Sequence, residues 1–242
     1  MRLFIYADAG SKPPFHLPWN YHLSFQAFVY DALDRHRPEL ADEYHERDTA
    51  PPFSFSEFIQ TASVTTSDSG IACRSGFWVF NAEDTALIDA VANHARGDEL
   101  TLGHTTVPVD GVEVEQIESV TQARYRTLSP IFSTIHRDGD RVPLHPDDPM
   151  WGHRLHESVR DRMTSREYDT SAFQFDLEAT HGWEEDGMRV NSDHIRSCTH
   201  TEFTLRTDEL TSRFVQRQGI AEGSGLGLST VIPVDHLPEA AR

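Results

Sequence analysis

The sequence predicts an α+β protein made of two tandem ferredoxin-like (β-α-β-β-α-β) folds, one over residues 1–121 and one over 122–242. Three observations predict this. The 242 residues suffice for two compact cores. Apolar residues recur with period 2 and then period 3.6 in the order β-α-β-β-α-β, and that order is met twice. No stretch is apolar over the ~18 residues that a membrane span requires.

In the first half, Leu3, Ile5 and Ala7 alternate with Phe4 and Tyr6, a strand signature that begins at residue 2. Pro13, Pro14 and Pro18 make the next stretch a loop that ends at Trp19-Asn20-Tyr21. Phe25, Phe28, Val29, Ala32 and Leu33 then form one face of a helix from about Ser24 to about Arg35, with Tyr30 off the stripe. Pro38 suits the first turn of a second short helix ending near His45. Pro51-Pro52 forces extended chain, Phe53, Phe55 and Ile59 read as a strand, and Phe77–Phe80 read as another. Asp84–Arg96 is helical through Leu87, Ile88, Val91 and Ala95. Leu100–Val109 and Val112–Val120 close the unit as strands joined by the turn Asp110-Gly111.

In the second half, Arg124–Phe132 reads as a strand, His136–Pro149 as a polar loop and Pro149–Met163 as a helix. Ala172–Thr180 and Met188–Ser197 read as strands joined through Gly182–Gly187, and Glu202–Arg206 as a further short strand. Asp208 is a good N-cap for a helix through Leu210, Phe214 and Val215 that stops at Gly219. Gly219, Gly223, Gly225 and Gly227 then crowd one short stretch before the strand Leu228–Val234, and His236–Arg242 reads as a loose tail. Glycine tolerates positive φ and close backbone approach, so the cluster suits either a ligand-receiving loop or a tight connection. It is not a P-loop, because no Gly-Lys-Ser/Thr follows, nor a dinucleotide fingerprint, because a strand follows and not a helix.

Acidic residues number 39 against 21 basic ones, a formal net charge of -18, and Lys12 is the sole lysine. Such a chain fits a cytoplasm kept at molar salt, where the Debye length shrinks to about 3 Å and self-repulsion is screened. Counterion-release affinity for nucleic acid also vanishes there, so RNA recognition would rest on stacking, hydrogen bonds and local arginines. The N-terminus is too short and polar for a signal peptide, and the two cysteines, Cys73 and Cys198, make neither a disulfide framework nor a metal site. A cytoplasmic location with no membrane association is expected.

Fourteen histidines invite a metal reading, but no pair has zinc-finger or His-Glu-x-x-His spacing. His153 and His156, three apart on a helix, could share a ligand or form part of a solvated face, and no Ser/His/Asp set stands out. Trp19, Phe77 and Trp78 are either base-stacking groups or core. Arg124 and Arg126, on same-facing positions, either line an RNA path or balance acidic neighbours.

Four segments together carry a resemblance. They are Leu17-Pro18-Trp19-Asn20-Tyr21 with the helix ending Ala27–Leu33; Glu43-Tyr44-His45-Glu46 with Pro52–Ser56; Leu128-Ser129-Pro130-Ile131 with the helix around Leu155; and the helix from Asp208 with its glycine loop. In this order and spacing the chain resembles the CRISPR-associated endoribonucleases that cut repeat RNA into guide RNAs, members of the repeat-associated mysterious protein (RAMP) superfamily, here of haloarchaeal type. The resemblance implies tandem ferredoxin-like folds. It also implies metal-independent, cofactor-free cleavage, in which a 2′-hydroxyl attacks the neighbouring phosphate and leaves a 2′,3′-cyclic phosphate and a 5′-hydroxyl. It places His45 as the catalytic histidine, an imidazole whose ordinary pKa of ~6.5 suits proton transfer near neutrality. His36 would take that place only if the correspondence slipped, and His16 and His22 flank the Trp19 loop. Tyr30 would orient the scissile phosphate.

No lysine follows His45, and Arg47 is the nearest cation to stand in for one. The loop ends Gly-Leu-Gly, where relatives often have Gly-Phe-Gly, and carries Glu222 and no cation, which leaves the backbone N–H groups of Gly225 and Gly227 as donors. The implied partners are CRISPR repeat RNA and subunits of a type I interference complex. Two rival readings remain: a non-catalytic RNA-binding subunit of the same fold, and a metal-dependent hydrolase built on the histidines.

Overall fold

The computed structural model describes the chain except residues 47–50, 63, 98, 192–193 and 242, and except the side chains of 45–46, 189–191, 194–195 and 240. The chain divides into two compact units. One is Met1–Gln116 with Gly225–Gly227 and Ala241; the other is Ile117–Ser224 with Leu228–Ala240 and Arg242.

The first unit runs β1 (Arg2–Asp8), β2 (Phe15–Pro18), α1 (Tyr21–His36), α2 (Pro38–Glu46), β3 (Phe53–Phe55), β4 (Ile59–Gln60), β5 (Thr65–Ser67), β6 (Gly70–Cys73), β7 (Ser75–Ala82), α3 (Thr85–Ala95), β8 (Glu99–Leu102) and β9 (Thr105–Glu115). Its main sheet has the order β3-β7-β1-β9-β8, with β4 also on β7 and every pairing antiparallel. With β1, β3, β7 and β9 as the four principal strands and α1 and α3 as the helices, this is a ferredoxin-like unit. Leu3 and Ile5 of β1, Trp78 and Phe80 of β7, Phe25, Val29 and Leu33 of α1, and Leu87, Ile88 and Val91 of α3 form its core. Phe25 lies flat on Trp78, with ring centroids 5.2 Å apart at 13°. Arg2 is fully buried and carries its own partners, Glu115 Oε1 at 2.8 Å and Asn81 Oδ1 at 3.2 Å, as a buried charge must.

Three expectations for this half change. Asp110-Gly111 is not the hairpin turn. The turn falls at Gly103-His104, between Leu102 and Thr105, because that register buries Leu100, Leu102 and Val107. Asp110 is instead the extra residue of a bulge, since Tyr6 pairs with Gly111 and Ala7 with Val109. Phe53, Phe55 and Ile59 do not share a strand, because β3 and β4 pair separately with β7. The segment around Phe15 is a strand and not only loop. β2, β6 and β5 make a small second sheet, in which Phe15 and Leu17 point inward.

The second unit runs β10 (Gln122–Thr127), β11 (Thr134–Arg137), β12 (Asp140–Pro143), α4 (Trp151–Ser165), β13 (Phe175–Asn191), β14 (His194–Thr207), α5 (Glu209–Gln218) and β15 (Val231–Pro233). Its sheet order β13-β14-β10-β15 repeats the ferredoxin-like pattern, and β11 and β12 form a separate hairpin. Tyr125, Phe203 and Leu205 from the sheet meet Trp151, Leu155 and Val159 of α4 and Phe214 and Val215 of α5. Asp208 caps α5 as expected, its Oδ1 accepting from the Leu210 and Thr211 amides at 2.9 and 3.0 Å.

Here too the strands differ from expectation. Gly182–Gly187 is not a connection: it lies inside the 17-residue β13, with Gly187 opposite Ser197, and residues 202–206 are the end of the same long β14. β13 is exposed over most of this extension, so its sequence shows no buried-face alternation to read. The strand from Arg124 stops at Thr127. The strand expected at Leu228–Val234 shrinks to Val231–Pro233, and the tail is held by short 3₁₀ turns that bury Leu237. Among the described residues, no helix is long and apolar enough to cross a membrane.

Candidate functional site

The glycine segment is a fixed structure. α5 ends at Gly219, whose φ of +78° and ψ of 172° suit glycine and little else. The Gly219 amide closes the last turn on the Val215 carbonyl at 3.0 Å, and the Ile220 amide donates to the Ser229 carbonyl at 2.9 Å. A Cβ on Gly219 would stand 2.7 Å from that carbonyl oxygen. Gly223 and Gly227 also have positive φ, and Ser224–Leu226 is a 3₁₀ turn.

Within the second unit, the glycine segment meets the Leu128–Ile131 segment. The Ser229 amide donates to the Pro130 carbonyl at 2.9 Å, the Leu128 amide to the Thr230 carbonyl at 2.8 Å, and the Thr230 amide to Ser129 Oγ at 3.0 Å. Two motifs about a hundred residues apart thus form one backbone ledge. Ser129 and Thr230 are fully buried in it, which is why polar residues stand where an apolar pair would be expected.

Arginines that sequence reading did not single out hold this ledge. Arg162 of α4 donates to the Gln218 and Gly219 carbonyls at 2.9 and 2.7 Å, and its guanidinium lies over the Phe214 ring at 5.4 Å. Two carbonyls at a helix C-terminus are a natural seat for a cation. Burial, with Arg166 beside it, pulls the Arg162 pKa down to about 9. Glu222, the loop's one charge, is paired with Arg141 of β12 and, at 3.4 Å, with Arg154 of α4. The missing signal was spacing: these arginines lie 56 to 81 residues from the groups they bind.

Within the first unit, Gly225 and Gly227 have packing reasons of their own. A Cβ on Gly225 would lie 2.3 Å from Pro51 Cγ, and one on Gly227 2.5 Å from Phe55 Cε2. Gln26 of α1 donates to the Gly225 carbonyl at 2.9 Å. Tyr30 is one helical turn beyond Gln26, on the same side of α1. It is half-buried, its ring edge-on to Phe53 at 6.2 Å, and burial raises its pKa, so the phenol stays protonated at neutral pH. Gln26 is a neighbour of Tyr30 that sequence reading missed; only its i, i+4 spacing could have suggested it.

His45 lies in the last turn of α2, between α1 and β3. Its side chain, and the whole of Arg47, fall outside the described residues. Arg124 and Arg126 both grip one carboxylate, Glu202, each at 2.5 Å. Phe77 and Trp78 are core, at 1% and 0% exposure, whereas Trp19 is exposed and donates to the Ser67 carbonyl at 3.1 Å. His153 and His156 do not share a ligand: His153 pairs with Glu157 at 3.3 Å, and His156 Nδ1 meets the Phe175 carbonyl at 3.1 Å. His22 is buried, His16 meets Ser69, and His36 is exposed with its ring 5.7 Å from that of His94.

No family model matches the chain, and no curated protein does. Solved structures do. A CRISPR associated protein Cas6 superimposes with a TM-score of 0.77 at 17% identity, over 97% of this chain and 99% of that one. A RAMP protein described as binding different RNA substrates gives 0.77 at 19% identity over the same shares. A Cas6-related protein from Pyrococcus furiosus gives 0.76 at 17% identity, over 98% and 99%. The likeness covers nearly the whole of each chain, and at these identities it establishes a Cas6-like tandem ferredoxin-like fold.

Proposed function

We propose that this chain is an endoribonuclease of the Cas6 kind, which cuts CRISPR repeat RNA into guide RNAs. The observation that carries the reading is the near-full-length likeness to Cas6 and RAMP structures, one of them described as binding different RNA substrates. A ledge joining Leu128–Ile131 to the glycine segment and a tyrosine on the Gln26 side of α1 support it.

The reaction is transesterification within the RNA. The 2′-hydroxyl of the nucleotide before the cut loses its proton, its oxygen bonds to the adjacent phosphorus, and the bond from phosphorus to the 5′-oxygen breaks. The 5′-oxygen takes a proton, so the ends are a 2′,3′-cyclic phosphate and a 5′-hydroxyl, with no metal or cofactor required. His45 is assigned one of the two proton transfers, a contribution of about 10²–10⁴ in rate. Tyr30, its phenol protonated, donates to a phosphate oxygen and fixes its position. Arg47 is assigned the charge that builds on the phosphorane. Gly219, Gly223, Gly225 and Gly227 are assigned backbone contacts to the RNA, and Arg124 and Arg126 are assigned RNA contacts of their own. On this reading the N-terminal domain, residues 1–121, supplies the catalytic histidine, and the C-terminal domain, 122–242, the glycine loop. The chain acts in a halophile's cytoplasm and passes its product to a type I interference complex.

The test is cleavage of the cognate repeat RNA in molar KCl with EDTA, wild type against His45→Ala, with the product ends typed. Cutting by wild type with cyclic-phosphate ends, and binding without cutting by the variant, is the expected result. Binding by both without cutting makes this an RNA-binding subunit. Activity abolished by EDTA and restored by metal makes it a metal-dependent hydrolase.

A further inference from the structure

In the second unit, arginines from three elements gather around Glu222 and its neighbour Phe132. The two residues are bridge partners in the backbone, and Ser229 Oγ donates to the Glu222 carbonyl at 3.1 Å, so both are fixed in place. The Arg141 guanidinium of β12 lies over the Phe132 ring at 5.1 Å, and that of Arg196 of β14 over the same ring at 4.7 Å. Arg141 and Arg154 both reach the Glu222 carboxylate, one at each oxygen. Thr134 aims this pair. Its Oγ1 accepts from Arg141 Nε at 2.7 Å and its carbonyl from Arg154 Nε at 3.2 Å, so the Nη ends are left for the carboxylate. Among the described residues, the Arg196 guanidinium has the Phe132 ring and no hydrogen bond or ion pair. Stacking occupies the face of a guanidinium and leaves its N–H edge free to donate.

Stability does not account for this arrangement. The side chains of Arg141, Glu222 and Arg154 are 45%, 37% and 33% exposed, and ion pairs so exposed add little, least of all in high salt. Three cations here share two carboxylates, Glu222 and the Glu157 that also meets Arg154, so one positive charge is left over among the described residues. Oriented guanidinium forks with charge to spare call for an anion. The fork fits a carboxylate and a phosphate alike, and a phosphodiester carries the same single negative charge as Glu222 on two free oxygens.

We infer that Glu222 occupies the seat of one RNA phosphate, which displaces it on binding. Arg141 and Arg154 pass from the carboxylate to the phosphate, and Arg196 donates to it from its place on Phe132. The inference rests on the RNA-binding reading above and adds a built-in competitor to it. The test is equilibrium binding of labelled oligo(U) and of the repeat RNA to the full chain over a series of KCl concentrations at which circular dichroism shows every variant folded. Glu222→Gln should bind more tightly and steepen the plot of log Kd against log [KCl] by about 0.7, one further counterion exchanged. Arg196→Ala should lose about tenfold in affinity, the loss of one charged hydrogen bond. Arg141→Ala should lose more in the Glu222→Gln background than in wild type, where it also weakens the competitor. The same changes are expected on both RNAs, because a phosphate carries no sequence. An unchanged salt slope in Glu222→Gln, equal losses from Arg141→Ala in the two backgrounds, or wild-type affinity in Arg196→Ala overturns the seat and leaves the RNA reading standing. Changes confined to one RNA overturn a phosphate as the occupant. A wild type that binds neither RNA overturns the RNA reading and the seat together.

Discussion

Gly219→Ala perturbs the joint between α5 and the glycine segment at a point where two costs can be read from geometry. The first is conformational. With φ +78° and ψ 172°, the residue occupies a region essentially reserved for glycine, at about 1–3 kcal/mol for any other residue. The second is steric. The new Cβ would lie 2.7 Å from the Ser229 carbonyl oxygen and 3.2 Å from its carbon. That oxygen already accepts from the Ile220 amide, and the Gly219 carbonyl is held by Arg162, so neither side yields without weakening a hydrogen bond worth about 0.5–1.5 kcal/mol. The expected loss is about 2–4 kcal/mol. Urea unfolding followed by circular dichroism in molar KCl measures it, with Gly97→Ala alongside. Gly97 has no positive φ, and its Cβ would meet the Glu99 carbonyl oxygen at an ordinary 3.6 Å, so that change should be neutral or stabilise by up to about 1 kcal/mol. A Gly219→Ala loss below about 0.5 kcal/mol, or equal effects of the two changes, would refute the geometric reasoning.

Tyr30→Phe keeps the ring on Phe53 and removes the phenol; cleavage should slow by up to about 10²-fold with the melting temperature nearly unchanged, and an unchanged single-turnover rate would remove Tyr30 from the mechanism. Asp208→Ala should cost about 1–2 kcal/mol through the lost cap of α5. Burial raises the Asp208 carboxyl, but hydrogen bonds from Thr211, Gln174 and Leu210 outweigh it and hold the pKa below the ordinary 3.8. The stability it contributes is therefore complete above the unfolded value and is lost as pH falls through the lower folded one, so Asp208→Asn should flatten the acid limb of a stability–pH curve. Glu222→Gln removes one ion pair each from Arg141 and Arg154, Arg154 keeping Glu157, costs at most about 1 kcal/mol, and should strengthen RNA binding at moderate salt; unchanged affinity would place both arginines away from the RNA.

The legible parts of the fold are those set by near neighbours in sequence. The stripe Phe25-Phe28-Val29-Ala32-Leu33 buries as one face of α1, and Asp208 and Gly219 bound α5 at both ends. The candidate site was legible to the same degree. The glycine cluster and Leu128–Ile131 stood out as separate signals, while their union through Ser129, Pro130 and Thr230 did not. Asp110-Gly111 misled because a favourable turn dipeptide competes with register, and burying Leu100, Leu102 and Val107 won. The long β13–β14 pair was hidden because the exposed stretch of β13, with Gly182 and Gly187 in it, shows no alternation to read.

By itself the sequence determined most of the element order, the helix faces and caps, and the acidic, arginine-using composition. Those are properties of composition and of spacings within a turn or a strand. Only tertiary structure decided that Arg124 and Arg126 share Glu202, that Arg162 holds the end of α5, and that Gly225 and Gly227 are small because Pro51 and Phe55 stand against them. Each of these pairs a residue with another dozens of positions away. Burial of the whole core and the register of the sheets select such pairings, and no local propensity encodes them.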